Sequence, residues 1–302
     1  MKTACVITNY NYERYLEDCL TSVFKQSMPF DQVIIVDDGS TDNSREIINA
    51  YKNRYPNMSV VTQENLGQLS AFNSAIKYIP EDSQVFFIDA DDVYAHDYVE
   101  LVMKSIGNRV ADFTFCDVLY ADSQSVRQFT TARKNSMPTQ VFEKTSALTR
   151  SREYWIGKET SALSISEKAL KMILPYPCEQ EWKTRADDVL IFASSIIGLW
   201  KVYIPSVQVL YRVHESNNFY RKKLTDDDCA RKNRNNKILF KWYCDKYLLN
   251  FKPGPFEIYN ELKRLTGEQK NYLQLPSKYK IYRRVLRQFL IYKFTRKSEI
   301  KF

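Results

Sequence analysis

Glycine is scarce in this chain, with seven in 302 residues, and no Gly-x-Gly-x-x-Gly follows any strand-like segment. A dinucleotide-binding phosphate loop is therefore missing, which argues against an oxidoreductase. Histidine is scarcer still, with only His96 and His214. Six cysteines (Cys5, Cys19, Cys116, Cys178, Cys229, Cys244) contain no Cys-x-x-Cys pair and read as reduced, mostly buried thiols of a cytosolic protein. No basic segment with an apolar core opens the chain, since Met1-Lys2-Thr3 leads directly into a strand-like run, so a secretory signal is not expected. Long apolar runs are absent too. The uncharged stretch Val189–Trp200 is only twelve residues, short of the about 20 residues that span a bilayer.

What is present is an ordinary globular composition with a charge asymmetry. Hydrophobic residues make up 44% and charged residues 26%, enough for a sizeable core. The net charge of +8 is unevenly placed. Residues 1–219 carry 22 Lys+Arg against 28 Asp+Glu, and residues 220–302 carry 22 against 8. This predicts two units, a mildly acidic 1–219 and a basic, helical 220–302.

Up to about residue 118, strands and helices alternate. The strands are expected at 4–8, 32–36, 59–63, 84–88 and 112–117, with amphipathic helices at 14–25, 43–52, 69–78 and 97–105. Such alternation means an α/β fold, a mostly parallel sheet with helices on both faces. From Leu119 to Trp155 the chain is polar and poorly periodic, with 123–126 and 134–140 as loop candidates. Helices are then expected at 166–173 and 188–197, with a strand near 201–204. A C-terminal helical extension follows at 226–247, 255–265 and 277–294.

Two acidic clusters end expected strands: Asp37-Asp38-Gly39-Ser40-Thr41-Asp42 and Asp89-Ala90-Asp91-Asp92. Ligands of open α/β sheets bind at that edge. Bunched carboxylates repel one another unless a cation neutralises them, which points to a hard divalent metal, Mn²⁺ or Mg²⁺, and a phosphate-bearing ligand. The competing reading is a turn with a helix cap, Ser40 or Asp42 capping the helix near Asn43. Asp92 reads equally as a second metal ligand or a helix cap.

Taken in order, Thr8-Asn9-Tyr10-Asn11-Tyr12, Val36–Asp42, Asn65-Leu66-Gly67 with Ala71 and Asn73, Asp89-Ala90-Asp91-Asp92, Asp187-Asp188, and Tyr211-Arg212-Val213-His214 with Asn217 resemble the motifs of the family 2 glycosyltransferases, inverting enzymes of the GT-A fold. The likeness covers roughly residues 1–220. Phe72 departs from it, standing where the family often has arginine, and Asp187 stands where glutamate is commoner.

The resemblance implies transfer of a sugar, with a UDP-sugar favoured, from a nucleoside diphosphate to a hydroxyl of a glycan or lipid-linked glycan. It assigns Thr8, Tyr10, Asp38, Asn65, Gly67, Asp89 and Arg212 to the nucleotide sugar. Asp91 and His214 go to the metal, and Asp188 is picked as general base. By sequence alone, Asp187-Asp188 would read as helix-capping acids. Arg212 has an acidic neighbour as its alternative partner, and His214 a structural hydrogen bond. Trp155 and Trp182 are candidates for stacking on sugar rings or for the core.

Two other readings compete: a catalytically silent nucleotide-sugar binder, and a nucleic-acid-binding protein using the basic C-terminal part. The latter carries no recognised motif, so nucleic acid is not expected. Residues 278–302 hold nine basic side chains and one acid, Glu299, in an amphipathic pattern suited to an anionic membrane surface. The expected location is cytoplasmic, peripheral to the inner face of the membrane.

Overall fold

The computed structural model describes residues 1–107, 111–122, 133–134, 138–215 and 225–275. The expected loop 123–126, residues 135–137 of the expected loop 134–140, Asn217, the 219/220 boundary, the 277–294 helix and the basic 278–302 segment lie outside the described residues.

One ten-stranded sheet organises the chain, with the path β3-β2-β1-β4-β9-β6-β10-β5. β1 (Lys2–Asn9), β2 (Gln32–Asp37), β3 (Met58–Thr62) and β4 (Ser83–Asp89) are parallel neighbours. α1 (Glu13–Phe24), α2 (Ser44–Arg54) and α3 (Gln68–Ala75) connect them. β1 is apolar almost throughout because both its faces are covered. Its residues alternate between two clusters: Ala4 and Val6 face the core under α3, while Cys5 and Ile7 face the core under α1. In α1, Leu16, Cys19, Leu20 and Val23 recur at helical spacing and form the buried stripe.

After the two-residue β5 (Val93–Tyr94) and α4 (Tyr98–Ile106), the sheet becomes mixed. β6 (Phe113–Ala121) runs parallel to β10 (Lys201–Arg212), and β9 (Leu163–Ser166) is inserted antiparallel between β4 and β6. The short β7 (Arg133–Lys134) and β8 (Gln140–Phe142) pair with β10. The stretch read as poorly periodic thus holds the end of β6, β7, β8 and α5 (Ser146–Arg152), pieces too short to show a period. The strand expected at 201–204 continues through Pro205 to Arg212. The ladder shifts register on either side of Val207, an irregularity that lets a proline remain in a strand.

Lys201 opens β10 with no exposed surface. Its ammonium donates to the carbonyls of Ile156 at 2.8 Å and Ile191 at 2.7 Å and lies 4.5 Å from the centre of the Phe113 ring. Burial pushes its pKa well down.

α6 (Glu167–Ile173) and α7 (Ala186–Ile196) lie on the α3 side with α8 (Asp226–Lys246), α9 (Pro255–Arg264) and α10 (Gly267–Tyr272). Thr225 and Asp228 form a capping box at the start of α8. Leu239, Phe240, Tyr243 and Cys244 of α8 join the same hydrophobic cluster as α7, where Phe240 meets Phe192 edge-on at 5.2 Å. In α9, Glu261 accepts the Ala147 and Leu148 amides at 2.9 and 2.8 Å, satisfying the first turn of α5 from another helix. The described part of the basic region therefore packs directly on the sheet-bearing part.

Candidate functional site

The strand order reverses between β1, which leads outward to β2 and β3, and β4, which leads the other way. A cavity of about 650 Å³ opens at that switch point, at the C-terminal ends of β1 and β4. Thr8, Tyr10, Asp38, Asn65, Asp89 and Asp91 line it as expected from sequence, together with Gln68, Tyr120, Trp155, Glu159, Lys183, Arg185, Asp187 and Tyr211.

On the β1–β4 side, carboxylates are engaged in holding loops. Asp38 accepts from the Gln63 side chain at 2.7 Å and from the Leu66 and Gly67 amides at 2.9 and 2.8 Å. Asp37 is fully buried between Asn9 and Arg45, so the pair of acids divides its work. Gly67 adopts φ +96°, and a Cβ there would fall 2.4 Å from the Lys183 Cα. Glycine is required at this position because the 63–67 loop meets the 183–185 segment backbone to backbone. Gly67 shapes the wall without lining the cavity.

Asp89 accepts from Thr8 Oγ1 at 2.8 Å and from Gln68 Nε2 at 2.7 Å. Burial, with the Asp91 carboxylate second, pushes its pKa up to about 7. Asp91 Oδ2 lies 2.9 Å from His214 Nε2, and the His214 ring packs at 4.6 Å on Tyr15. Asp92, left open between ligand and cap, has both oxygens hydrogen-bonded. It accepts from Ser161 Oγ at 2.5 Å and from the Arg212 amide at 2.9 Å, fastening β10 to the motif, and burial drives its pKa well up.

Two expected site residues are turned away from the cavity. Arg212 is 1% exposed; it donates to the Asp91 carbonyl at 2.7 Å and to Asp18 at 3.0 Å, and stacks over Tyr15. The acidic neighbour takes it, and it ties α1 to β10. Asp188, picked as base, has no exposed surface. Its Oδ1 accepts from Trp155 Nε1 at 2.7 Å and Arg185 NH2 at 2.9 Å, and its Oδ2 accepts from Arg185 Nε at 2.8 Å. The preceding Arg185 sits in the left-handed region at φ 63°, and the helix start that follows sends Asp188 inward while Asp187 reaches the cavity. Burial first, and the Asp188 charge second, push the Asp187 pKa up to about 8 against the pull of Arg185.

Sequence reasoning missed Gln68 and Glu159. The Gln68 amide donates to Asp89 and to Thr160 Oγ1 at 3.3 Å and accepts the Ala186 amide at 3.1 Å, so β4, the 160–162 turn and α7 meet at one side chain. Phe72 lies in the core, edge-on to Phe87, and among the described residues the cations that reach the cavity are Lys183 and Arg185. Trp155 reaches the cavity, while Trp182 is core.

Among the described residues no three acidic, histidine or cysteine side chains form a metal cage. Asp91 lines the cavity beside Asp89, and the His214 imidazole, which is not among the lining residues, meets the Asp91 carboxylate. That set fits a hard cation shared with ligand phosphates, the usual manner for Mg²⁺, rather than a cation held by protein alone.

The solved structures of similar fold include S. aureus TarS in complex with UDP-GlcNAc, at TM-score 0.59 and 18% identity, covering 93% of this chain and 78% of that one. Another is a mannosyltransferase of Pyrobaculum calidifontis in complex with GDP-Man and Mn²⁺, at TM-score 0.51 and 13% identity, covering 99% and 88%. These likenesses establish the GT-A fold. An uncharacterized glycosyltransferase of Nostoc sp. is 28% identical over 221 residues, 72% of this chain and 66% of that protein. A poly(ribitol-phosphate) beta-glucosyltransferase of Bacillus spizizenii is 41% identical over 96 residues, 30% of this chain but only 15% of that longer protein. The profile of Glycosyl transferase family 2 matches residues 4–163, the whole first wall of the cavity and the 159–162 turn, and the chain belongs to that family.

Proposed function

We propose that this protein transfers a sugar from a nucleoside diphosphate sugar, UDP-linked in the first instance, to a hydroxyl of a glycan or lipid-linked glycan, with inversion at the anomeric carbon. The observation that carries the reading is the pairing, across one cavity, of the Asp89–Asp91 strand end with the Asp187 carboxylate. An inverting transfer needs these two functions on opposite sides of the reacting carbon.

In this reading Thr8, Tyr10, Asp38 and Asn65 border the nucleoside, and Lys183 and Arg185 offset phosphate charge. Asp91 and His214, with Asp89 beside them, would hold Mn²⁺ or Mg²⁺ against the diphosphate. The bound cation supplies neutralisation of the charge that develops on the leaving group. Asp187 takes the proton of the attacking hydroxyl as that oxygen bonds to the anomeric carbon, and the carbon–oxygen bond to the diphosphate breaks with its electron pair. A carboxylate with a raised pKa is a stronger base than an ordinary one, which suits this step. Asp188 holds Arg185 and Trp155 in place from behind.

The TarS and mannosyltransferase complexes support a nucleotide-sugar donor and a divalent cation, and the Bacillus poly(ribitol-phosphate) glucosyltransferase supports a hydroxyl-bearing polymer as acceptor. The basic 278–302 segment suits docking at an anionic membrane where a lipid-linked acceptor would reside. Thermal unfolding with a panel of UDP- and GDP-sugars, with and without Mn²⁺, tests the donor. Stabilisation by a nucleotide sugar that disappears with EDTA is expected, and no response to any nucleotide would overturn the reading. Proton NMR of the product should show the anomeric configuration opposite to the donor's; retention would rule out the single displacement.

A further inference from the structure

Among the described residues, Glu159 is the one cavity-lining carboxylate outside the family motifs, and half of it is uncommitted. Its Oε1 accepts the Tyr120 hydroxyl, whereas its Oε2 is buried without a hydrogen-bond partner among the described residues. An unpaired buried acceptor costs roughly 1–3 kcal/mol, and because Glu159 lines the cavity, a ligand donor that meets its carboxylate there would remove that cost.

The backbone around it is fixed. Ser161, two residues on, accepts the Asp89 amide at 3.0 Å and donates to Asp92, and Thr160 between them is reached by the same Gln68 amide that holds Asp89. Glu159 thus stands on the frame of the metal motif rather than on a free loop. It lines the same cavity as Asp187, Tyr211 and the strand-end acids. Tyr120 and Tyr211 pack at 5.3 Å beside it and give the wall an aromatic face. A polar tip beside aromatic faces is what a sugar ring presents a match for, with its hydroxyls at the rim and its C–H groups on the face.

We infer that Glu159, held by Tyr120, is a specificity-determining residue that accepts a hydrogen bond from a hydroxyl of the transferred sugar. The inference rests on the nucleotide-sugar reading. A sugar bonded to a diphosphate at Asp91 extends between Asp187 and the 159–162 turn. Glu159 is not among the residues assigned to the nucleoside or the diphosphate, so its effect should be confined to the sugar.

The test is calorimetric titration, with Mn²⁺ present, of UDP, UDP-glucose, UDP-N-acetylglucosamine, GDP and GDP-mannose into the wild-type protein, Glu159→Ala and Tyr120→Phe. Glu159→Ala should leave affinity for the free nucleoside diphosphate within about twofold, which also certifies its fold. It should weaken the preferred sugar conjugate about 10- to 100-fold, the scale of a lost hydrogen bond to a charged group. Tyr120→Phe should move the same ratio in the same direction by less. Equal loss for the diphosphate and its sugar conjugate, or no loss for the conjugate, would overturn the inference while leaving the nucleotide-sugar reading intact. Failure of the wild-type protein to bind any of the five would overturn both.

Discussion

The two walls of the cavity use the same residue type in opposite ways. On the β1–β4 wall, Asp38 accepts loop amides through both oxygens and Asp89 accepts Thr8 and Gln68 through Oδ1, building a rigid rim. On the facing wall, burial raises the pKa of Asp187 as it does that of Asp89, but with no hydrogen bond among the described residues offsetting it, and Glu159 keeps an unpaired oxygen. Between them Asp188 repeats the first pattern inside the second wall, with every strong bond directed to scaffold. Hydrogen-bond saturation, rather than acidity of the sequence, separates carboxylates that hold the site together from those available to a ligand.

That contrast breaks most cleanly at the 187–188 pair. Asp187→Asn should lower kcat by about 10²- to 10⁴-fold, the range of a lost general base, with nucleotide-sugar affinity retained in titration. If Asp188→Asn alone removes turnover in a folded protein, the assignment reverts to Asp188. Asp188→Ala should show its main effect in stability, about 3–5 kcal/mol in denaturant unfolding, because it strands Arg185 and the Trp155 indole. A variant as stable as wild type would mean the buried pair is no scaffold.

The first wall is probed by Gly67→Ala. A left-handed φ and the close approach of Lys183 predict a loss of about 1–3 kcal/mol in stability, with weakened nucleotide binding from the displaced 63–67 loop. Unchanged unfolding would show that the two segments have room to part.

The smallest effect concerns pH. With a pKa of about 8, Asp187 must lose its proton to act, so kcat/KM for the free enzyme should climb about tenfold per pH unit up to pH 8 and then level. The same group makes a stability prediction. Between its ordinary value of 3.8 and about 8, the folded protein holds a proton that the unfolded chain has released, so this group's contribution lowers stability as pH rises across that window. Asp187→Asn should remove that component of the slope, which unfolding at pH 5 and pH 8 can compare.

The unequal legibility of the two walls in sequence follows from how each is built. β1, β2 and β4 are apolar runs ending in acids, so strand, edge and carboxylate are read together, and the structure places them within a residue or two. β9 has four residues and α5 seven, too few to show a period, and both are held by partners far along the chain. Gln68 meets Ala186 across 118 positions and Thr160 across 92, contacts that no local pattern announces. The choice between Asp187 and Asp188 depends on one left-handed residue, Arg185, whose type does not advertise that conformation.

The amide of Gln68 has polarity as well as reach. Its nitrogen meets two acceptors and its oxygen meets a donor, so it can be seated only one way round, and a carboxylate of the same shape would face Asp89 with a like charge. The anomeric carbon's two reactive neighbours are thereby kept in a fixed relation before any ligand arrives, and that part of the entropy of assembly is settled during folding instead of at each turnover. A practical corollary is that new sugar preferences should be sought by exchanging groups that project from this frame, such as Glu159 and Tyr120, and that grafting either wall alone into a relative should require Gln68 and its three partners to travel together.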